Sequence, residues 1–446
     1  MGDYQDYLRS KTNAAKPSGF KPLWLPDFLF PFQRHLVDWA IRMGRCALFE
    51  DCGLGKTPQQ LVWAENVVRK TNGNVLILAP LAVAPQTIRE GDKFGIEVHR
   101  SRDGQAIKGI SVINYQQLHK YNPDNYTGIV ADESSILKNF DGKTRRLVTQ
   151  FLAKIPYRLL CTATPAPNDF MELGTSSEAL GVMGRNSMLG MFFTNDGEST
   201  QQWRLKGHAK TKFWRWLASW ARAVRKPSDL GYEDGDFLLP PLDLKQHTVE
   251  SEVRNGYLVP VVASSLSEQR VEKRQSLEKR CGKAAEVLPR KRPCIAWCQL
   301  NSESDLLEKL IPDAVQVRGS DSDEVKEERL NAFSAGEIRV LVTKPTIAGF
   351  GLNWQHCSDI AYFPTHSHEQ FYQAIRRCWR FGQKRKVTCN LVYSDGEREV
   401  LSNMLRKERV AVEMYDGICR HMGEVLQQKE ESNGCVRVDV PKWLSS

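Results

Sequence analysis

Two series of short apolar runs, separated by helix-length segments, constrain this chain more than any other feature. The first series holds CALFE at 46–50, VLILAP at 75–80, SVINY at 111–115, GIVAD at 128–132 and RLLCTAT at 158–164. The second holds RPCIAWC at 292–298, AVQVRG at 314–319, IRVLVTK at 338–344, DIAYF at 359–363 and VTCNLVY at 387–393. Strands that are apolar throughout are buried on both faces, and strands alternating with helices pair in parallel beneath them. The pattern predicts two α/β units, which a length of 446 residues can accommodate.

The intervening chain reads differently. Residues 171–240 carry Trp203, Trp214, Trp216 and Trp220 among many basic residues and read as a helical insertion in or after the first unit. Phe213, Trp216, Trp220 and Val224 follow near-helical spacing, which favours packing, although aromatics beside Arg and Lys could also stack on bases. Residues 270–292 read as a solvated charged face. The expected boundaries are a flexible terminus over 1–20, a first lobe over 21–170, the insertion over 171–240, a linker over 241–285, a second lobe over 286–420 and a tail over 421–446.

Gly53, Leu54, Gly55, Lys56 and Thr57 follow the first strand and open a helical stretch. Glycines there let backbone N–H groups curl around phosphate oxygens, Lys56 can reach the β- and γ-phosphates, and Thr57 can bind Mg²⁺. Glu50 stands where the strict phosphate-loop pattern has a glycine, so a plain glycine turn remains an alternative at this point. Asp132 and Glu133 end the strand GIVAD. Carboxylates there face the crevice beyond a parallel sheet, where Asp132 would hold Mg²⁺ and Glu133 would orient and deprotonate a water. Arg377 and Arg380, three apart in QAIRRCWRFGQ, share a helix face. They could stabilise charge on a transferring phosphoryl group or bind a phosphate backbone.

Composition bounds the rest. The formal charge of +9 suits a polyanion partner and equally suits many other soluble enzymes. Eleven irregularly placed cysteines, without a C-x-x-C pair, point to a reducing cytoplasm rather than a disulfide framework. The start, MGDYQDYLRSK, has no apolar segment of the kind a secretory signal needs. The apolar run at 75–85 is well short of the ~20 residues of a membrane helix.

Taken in order, these motifs resemble the Swi/Snf-like branch of superfamily-two helicases and translocases, from about residue 28 to about residue 400. FPFQRHLVDW is similar to the family's Q-type motif, FEDCGLGKT to DEMGLGKT, and IVADESSILKN to VDEAHRLKN. LLCTATPAPND resembles LLLTGTPIQN, RKPSDLGYEDGDFLLPPL the segment joining the lobes, TIAGFGLNW motif V, and QAIRRCWRFGQ the family's QAxDRAHRIGQ. The resemblance implies two tandem recA-like lobes with ATP and Mg²⁺ between them. It makes Gln33 an adenine reader and Arg377 and Arg380 arginine fingers. Gly349, Gly351 and Asn353 fall in motif V, with Gly351 near the nucleotide. Thr162, Thr164 and Ser135 would couple ATP state to movement. Four positions depart from the family: Ser135 and Trp379 replace histidines, Arg376 an acidic residue, and Thr87 a tryptophan.

The implied activity is ATP-driven translocation on double-stranded DNA without sequence preference. The alternatives are a strand-separating DNA or RNA helicase and a slow ATP-gated scaffold. A compact core of this kind is similar to versions in phages and bacteria, which implies a bacterial or phage-infected cytoplasm.

Overall fold

The computed structural model describes residues 14–81, 83–138, 142–195, 203–251, 266–348 and 352–433. The first lobe is built on strands β1 (Arg45–Glu50), β2 (Val75–Ala79), β3 (Val98–Arg100), β4 (Ile110–Asn114), β5 (Gly128–Asp132) and β6 (Tyr157–Thr162). A hairpin, β7 (Phe193–Asn195) and β8 (Trp203–Leu205), precedes β9 (Ala221–Val224). The second lobe uses β10 (Leu242–Val249), β11 (Cys294–Trp297), β12 (Ala314–Gln316), β13 (Val340–Thr343), β14 (Asp359–Tyr362) and β15 (Val387–Ser394).

The strands form a seven-stranded sheet, ordered β3-β4-β2-β5-β6-β1-β9, and a six-stranded sheet, ordered β10-β15-β14-β11-β13-β12. Every pairing recorded in these two sheets is parallel. Alternate side chains enter opposite cores, as a strand's period of two requires. Ala47 and Phe49 face one core of the first lobe, while Cys46 and Leu48 face the other. In the second lobe, Ile295 and Trp297 part from Cys294 and Ala296 in the same way. The two α/β units expected from the apolar runs are therefore present, in the tandem recA-like arrangement that the resemblance implies.

Register positions the functional rim. Phe49 lies opposite Thr162 on β6, and Cys161 lies opposite Asp132 on β5. The carboxyl ends of β1, β6 and β5 thus stand side by side. From β1 the chain crosses β6 and β5 to reach β2, and such reversals open a crevice beyond the strand ends.

Four expectations need correction. Residues 171–240 are not a purely helical insertion. Three helices (Leu173–Leu180, Arg185–Phe192 and Lys210–Trp220) and the hairpin lead into β9, which pairs with β1. Val224 therefore lies in a strand, and the helical spacing stops at Trp220. Phe213, Trp214, Trp216 and Trp220 are buried in the first-lobe core, so their rings are not presented to bases. The region expected to link the lobes contains β10, which pairs with β15 throughout its length. The expected tail begins inside a long helix, Arg398–Asn433, which leaves the second lobe and packs Met414, Ile418 and Met422 into the first-lobe core. Residues 434–446 lie outside the described residues.

The fourth correction concerns 270–292, where the helix Leu277–Val287 packs into the second lobe. Arg280 is fully buried, donating to Glu303 at 2.8 Å, with Glu397 at 3.5 Å. A charged residue is tolerated there because two carboxylates replace its hydration. Arg280→Met would leave the buried Glu303 without its counter-charge and Glu397 with Lys273 alone, at 3.8 Å. It is expected to lower stability by about 3 kcal/mol, read as a lower urea midpoint for second-lobe unfolding.

Candidate active site between the lobes

After β1 the chain turns through residues 51–55 into the helix Lys56–Thr71. Gly53 (φ +94°) and Gly55 (φ +77°) take left-handed conformations that favour glycine. Space demands it as well: a Cβ on Gly53 would lie 2.7 Å from the backbone nitrogen of Phe381 in the second lobe. A Cβ on Gly55 would strike the Gln33 amide. Gln33 is itself fixed, donating to the Leu54 carbonyl at 2.7 Å and accepting from the Phe30 N–H at 3.0 Å.

Lys56 reaches back over this loop, donating to the carbonyls of Glu50 at 2.9 Å and Asp51 at 3.3 Å. Burial opposes its charge, but the acidic groups of Cys52, Glu133, Glu50 and Asp132 outweigh it and raise its pKa. Glu50 is fully buried, and Gln59 donates to its Oε2 at 2.7 Å. Its Oε1 has no partner among the described residues. Burial lifts its pKa from 4.5 to about 7, against the pull of Lys56 and Gln59.

At the end of β5, Gln60 donates to Asp132 Oδ1 at 2.7 Å, and the Tyr115 hydroxyl donates to the Asp132 carbonyl at 2.6 Å. Glu133 has a left-handed φ of +50°. In a residue with a Cβ this costs on the order of 1 kcal/mol, and such strain concentrates at functional sites. Burial raises both carboxyl pKa values. Asp132 raises that of Glu133 further, while Lys56, Arg377 and Thr162 draw it back.

The second lobe supplies the remaining groups. Arg377 is buried, donating to the carbonyls of Gln373 and Leu352 at 3.1 Å and to Gln373 Oε1 at 2.9 Å. The Gln373 amide reaches Glu133 Oε2 at 3.5 Å, at the outer limit of a hydrogen bond. Arg380 donates to the Leu352 carbonyl at 3.3 Å. Burial first, and repulsion from Arg377 second, lower its pKa to about 10. Lys56, Thr57, Asp132, Glu133, Arg377 and Arg380 line one cavity of about 100 Å³, together with Gly53 and Gly55.

The helicase conserved C-terminal domain family matches residues 277–382, the segment containing both arginines. A Xenopus laevis protein, SWI/SNF-related matrix-associated actin-dependent regulator of chromatin subfamily A-like protein 1, is 31% identical over 164 residues, covering 34% of this chain and 17% of that one. A Caenorhabditis elegans homolog of the same name is 30% identical over 181 residues, covering 36% and 26%. Over about a third of its length the chain is thus similar to these two SWI/SNF-related proteins. The mouse DNA annealing helicase and endonuclease ZRANB3 is 28% identical over 180 residues, covering 36% of this chain and 17% of its own length. The chain thus spans about a quarter or less of these relatives. A solved structure, the Sulfolobus solfataricus SWI2/SNF2 ATPase core in complex with dsDNA, aligns with a TM-score of 0.41 at 15% identity, over 90% of this chain and 95% of that one.

Gln33, Gly53, Gly55, Lys56, Thr57, Asp132, Glu133, Arg377 and Arg380 are thus brought together. Gly349 and Gly351 lie outside the described residues. Of the three expected coupling residues, Thr162 contacts Glu133 and accepts from the Thr164 N–H at 3.1 Å. Thr164 lines a separate cavity of about 190 Å³. Ser135 is buried in a short turn (Ser134–Lys138) and lines neither of these cavities. Sequence reasoning missed Gln60, Tyr115 and Gln373, which orient the acids and arginines. The available signal was a pair of consecutive amides, Gln59 and Gln60, among the buried residues of their helix.

Glu50 supplies a test. As pH rises from 4.5 toward 7, the unfolded chain releases this proton while the folded chain retains it, so the folded state loses stability. The loss is complete above the folded pKa. Glu50→Gln removes it, so the variant's stability advantage is expected to grow by about 3 kcal/mol between pH 4.5 and pH 8. Urea unfolding across that range measures the change.

Proposed function

We propose that this chain is an ATP-hydrolysing motor that moves along double-stranded DNA. The supporting observation is one cavity lined by an ammonium and two carboxylates from the first lobe and two guanidiniums from the second. That donor set suits phosphoryl transfer, in which charge on the γ-phosphate is stabilised from several directions.

Each residue has a role in this reading. Gln33 reads adenine, and Gly53 and Gly55 let the loop wrap phosphate oxygens. Lys56 exchanges its loop carbonyls for the β- and γ-phosphates. Thr57 and Asp132 face the same cavity as hard oxygen donors, the type that suits Mg²⁺. The ion, when bound, neutralises phosphate charge. Glu133 takes the proton of the attacking water, held by its own strained backbone and by Thr162. Arg377 and Arg380 complete the site from across the cleft. Thr162, Thr164 and Ser135 relay the change to the face that carries DNA.

A cavity of about 100 Å³ is small beside the ~300 Å³ at which ligand pockets begin. The lobes must therefore separate to admit ATP and close to hydrolyse it. Each closure would shift one lobe along a tracked strand by a population shift between open and closed states. The names of the relatives, which include a DNA annealing helicase, favour DNA as the track.

Glu133→Gln is expected to lower ATP turnover by about 100-fold or more while leaving ATP binding intact. Unchanged turnover would show that Glu133 is not the base. ATPase rates measured in parallel with duplex DNA, single-stranded DNA and RNA should be highest with duplex. Preferential stimulation by RNA or single strands would replace the translocase reading with strand separation, and an unstimulated slow rate would favour the scaffold.

A further inference from the structure

The phosphate loop and the arginine segment are joined at a second place, behind the nucleotide cavity. Asp51 and Arg376 are each over nine-tenths buried and come from opposite lobes. The Arg376 guanidinium donates to Asp51 Oδ2, and the Tyr372 hydroxyl donates to Asp51 Oδ1. The Cys52 N–H donates to the same Oδ1 at 2.6 Å, and the Asp51 N–H donates to Val224 on β9 at 2.9 Å. Asp51 is thereby built into the first lobe.

Arg376 is held just as closely. Its guanidinium lies 4.1 Å from the Trp379 ring centroid and 5.1 Å from that of Tyr372. Trp379 in turn donates to the Pro240 carbonyl at 2.7 Å, at the crossing between the lobes. The other carboxylate influenced by Arg376 is Glu408, on the terminal helix.

Chain neighbours divide between the two cavities. Cys52, Gly53, Arg377 and Arg380 line the small cavity with Lys56. Asp51, Tyr372, Arg376 and Trp379 line the larger one and not the small one. Arg376 and Arg377 are consecutive, yet they face opposite sides. One is placed to reach nucleotide, and the other grips the loop that would hold it.

We infer that Arg376 is a positioning residue which, by clasping Asp51 as the lobes meet, sets the phosphate loop and the Arg377–Arg380 segment in one register. The inference rests on the ATPase reading above. A buried ion pair is costly to leave half-made, because either charge alone stays desolvated. The lobes are therefore driven either to meet fully or to part and rehydrate both groups.

The test compares Arg376→Met, Arg376→Lys, Asp51→Asn and the double variant Asp51→Asn/Arg376→Met in the full-length protein. ATP turnover with saturating duplex DNA is measured together with the distance between fluorophores on the two lobes, with and without a non-hydrolysable ATP analogue. Each single neutralising variant should lower kcat by about tenfold with less than threefold change in KM, as expected when reacting groups are misplaced rather than unbound. The double variant should be no worse than the poorer single one, and lysine should recover only part of the rate. The analogue should narrow the interlobe distance distribution in the wild type and fail to do so in Arg376→Met.

Unchanged kcat in Arg376→Met, or a lowered melting temperature with a normal kcat, would overturn the inference. So would single effects that multiply in the double variant. A wild type that does not hydrolyse ATP counts instead against the previous section, and the fluorophore distances then decide this one. Should Arg376→Met fail to fold, Arg376→Lys and Asp51→Asn carry the same comparison.

Discussion

Lys56, Asp132 and Glu133 are ionisable groups removed from water; the ammonium and the two carboxylates favour each other's charged forms, while Asp132 opposes the charge on Glu133. Burial alone would discharge them: it lifts both carboxyl pKa values and works against the ammonium. Opposite charge at close range is the available compensation, and the first lobe supplies only part of it. Arg377 supplies more from the second lobe, and it is one of the groups drawing the Glu133 pKa down. The electrostatics of the site therefore require both lobes, and the fold can be read as the means of delivering both sets of charges to one place.

The sheets perform that delivery. Adjacent strand ends present Glu50, Thr162 and Asp132 on one rim, and the loop after β1 closes over them. The second lobe brings its arginines on one segment after the helix His368–Ile375, close enough that Gly53 meets Phe381 without room for a side chain. A further ion pair, Lys138 with Glu369, ties the turn after Glu133 to the first turn of that helix. Asp51 and Arg376 do the same for the loop after β1. The interface thus carries ion pairs at more than one point, an arrangement suited to making and breaking contact, because parted charges regain water.

Legibility in the sequence followed the range of the determining interaction. The strands β1, β2, β4, β5 and β6 were readable because burial on both faces makes them continuously apolar. GLGKT and the Asp132–Glu133 pair were readable because the chemistry sits in consecutive residues. By contrast, β9 has the sequence ARAV and follows a helix directly, with no turn residue between them. It is a strand because β1 offers an edge, which no local pattern records. At the edge of the second sheet, β10 reads LDLKQHTV, partly exposed and without an apolar run. Arg280 looked solvated because its partners lie far along the chain, at Glu303 and Glu397. Arg376 showed only as a departure from a family pattern, since its partner lies in the other lobe.

The terminal helix has a mechanical consequence. The chain passes from the first lobe to the second once, between β9 and β10, and the helix Arg398–Asn433 carries it back. On its return Tyr415 donates to the Ala163 carbonyl at 2.8 Å, Asp416 accepts from Arg225 at 2.6 Å, and Gly417 lies against the Trp214 ring. Two bodies joined by a single strap can swivel in any direction. A second strap, here bound to the start of the first at Arg225, removes some of those degrees of freedom. The geometry of opening would then be set by two crossings that lie together on the first lobe, and the direction in which the other lobe can swing is written into the scaffold before any ligand arrives.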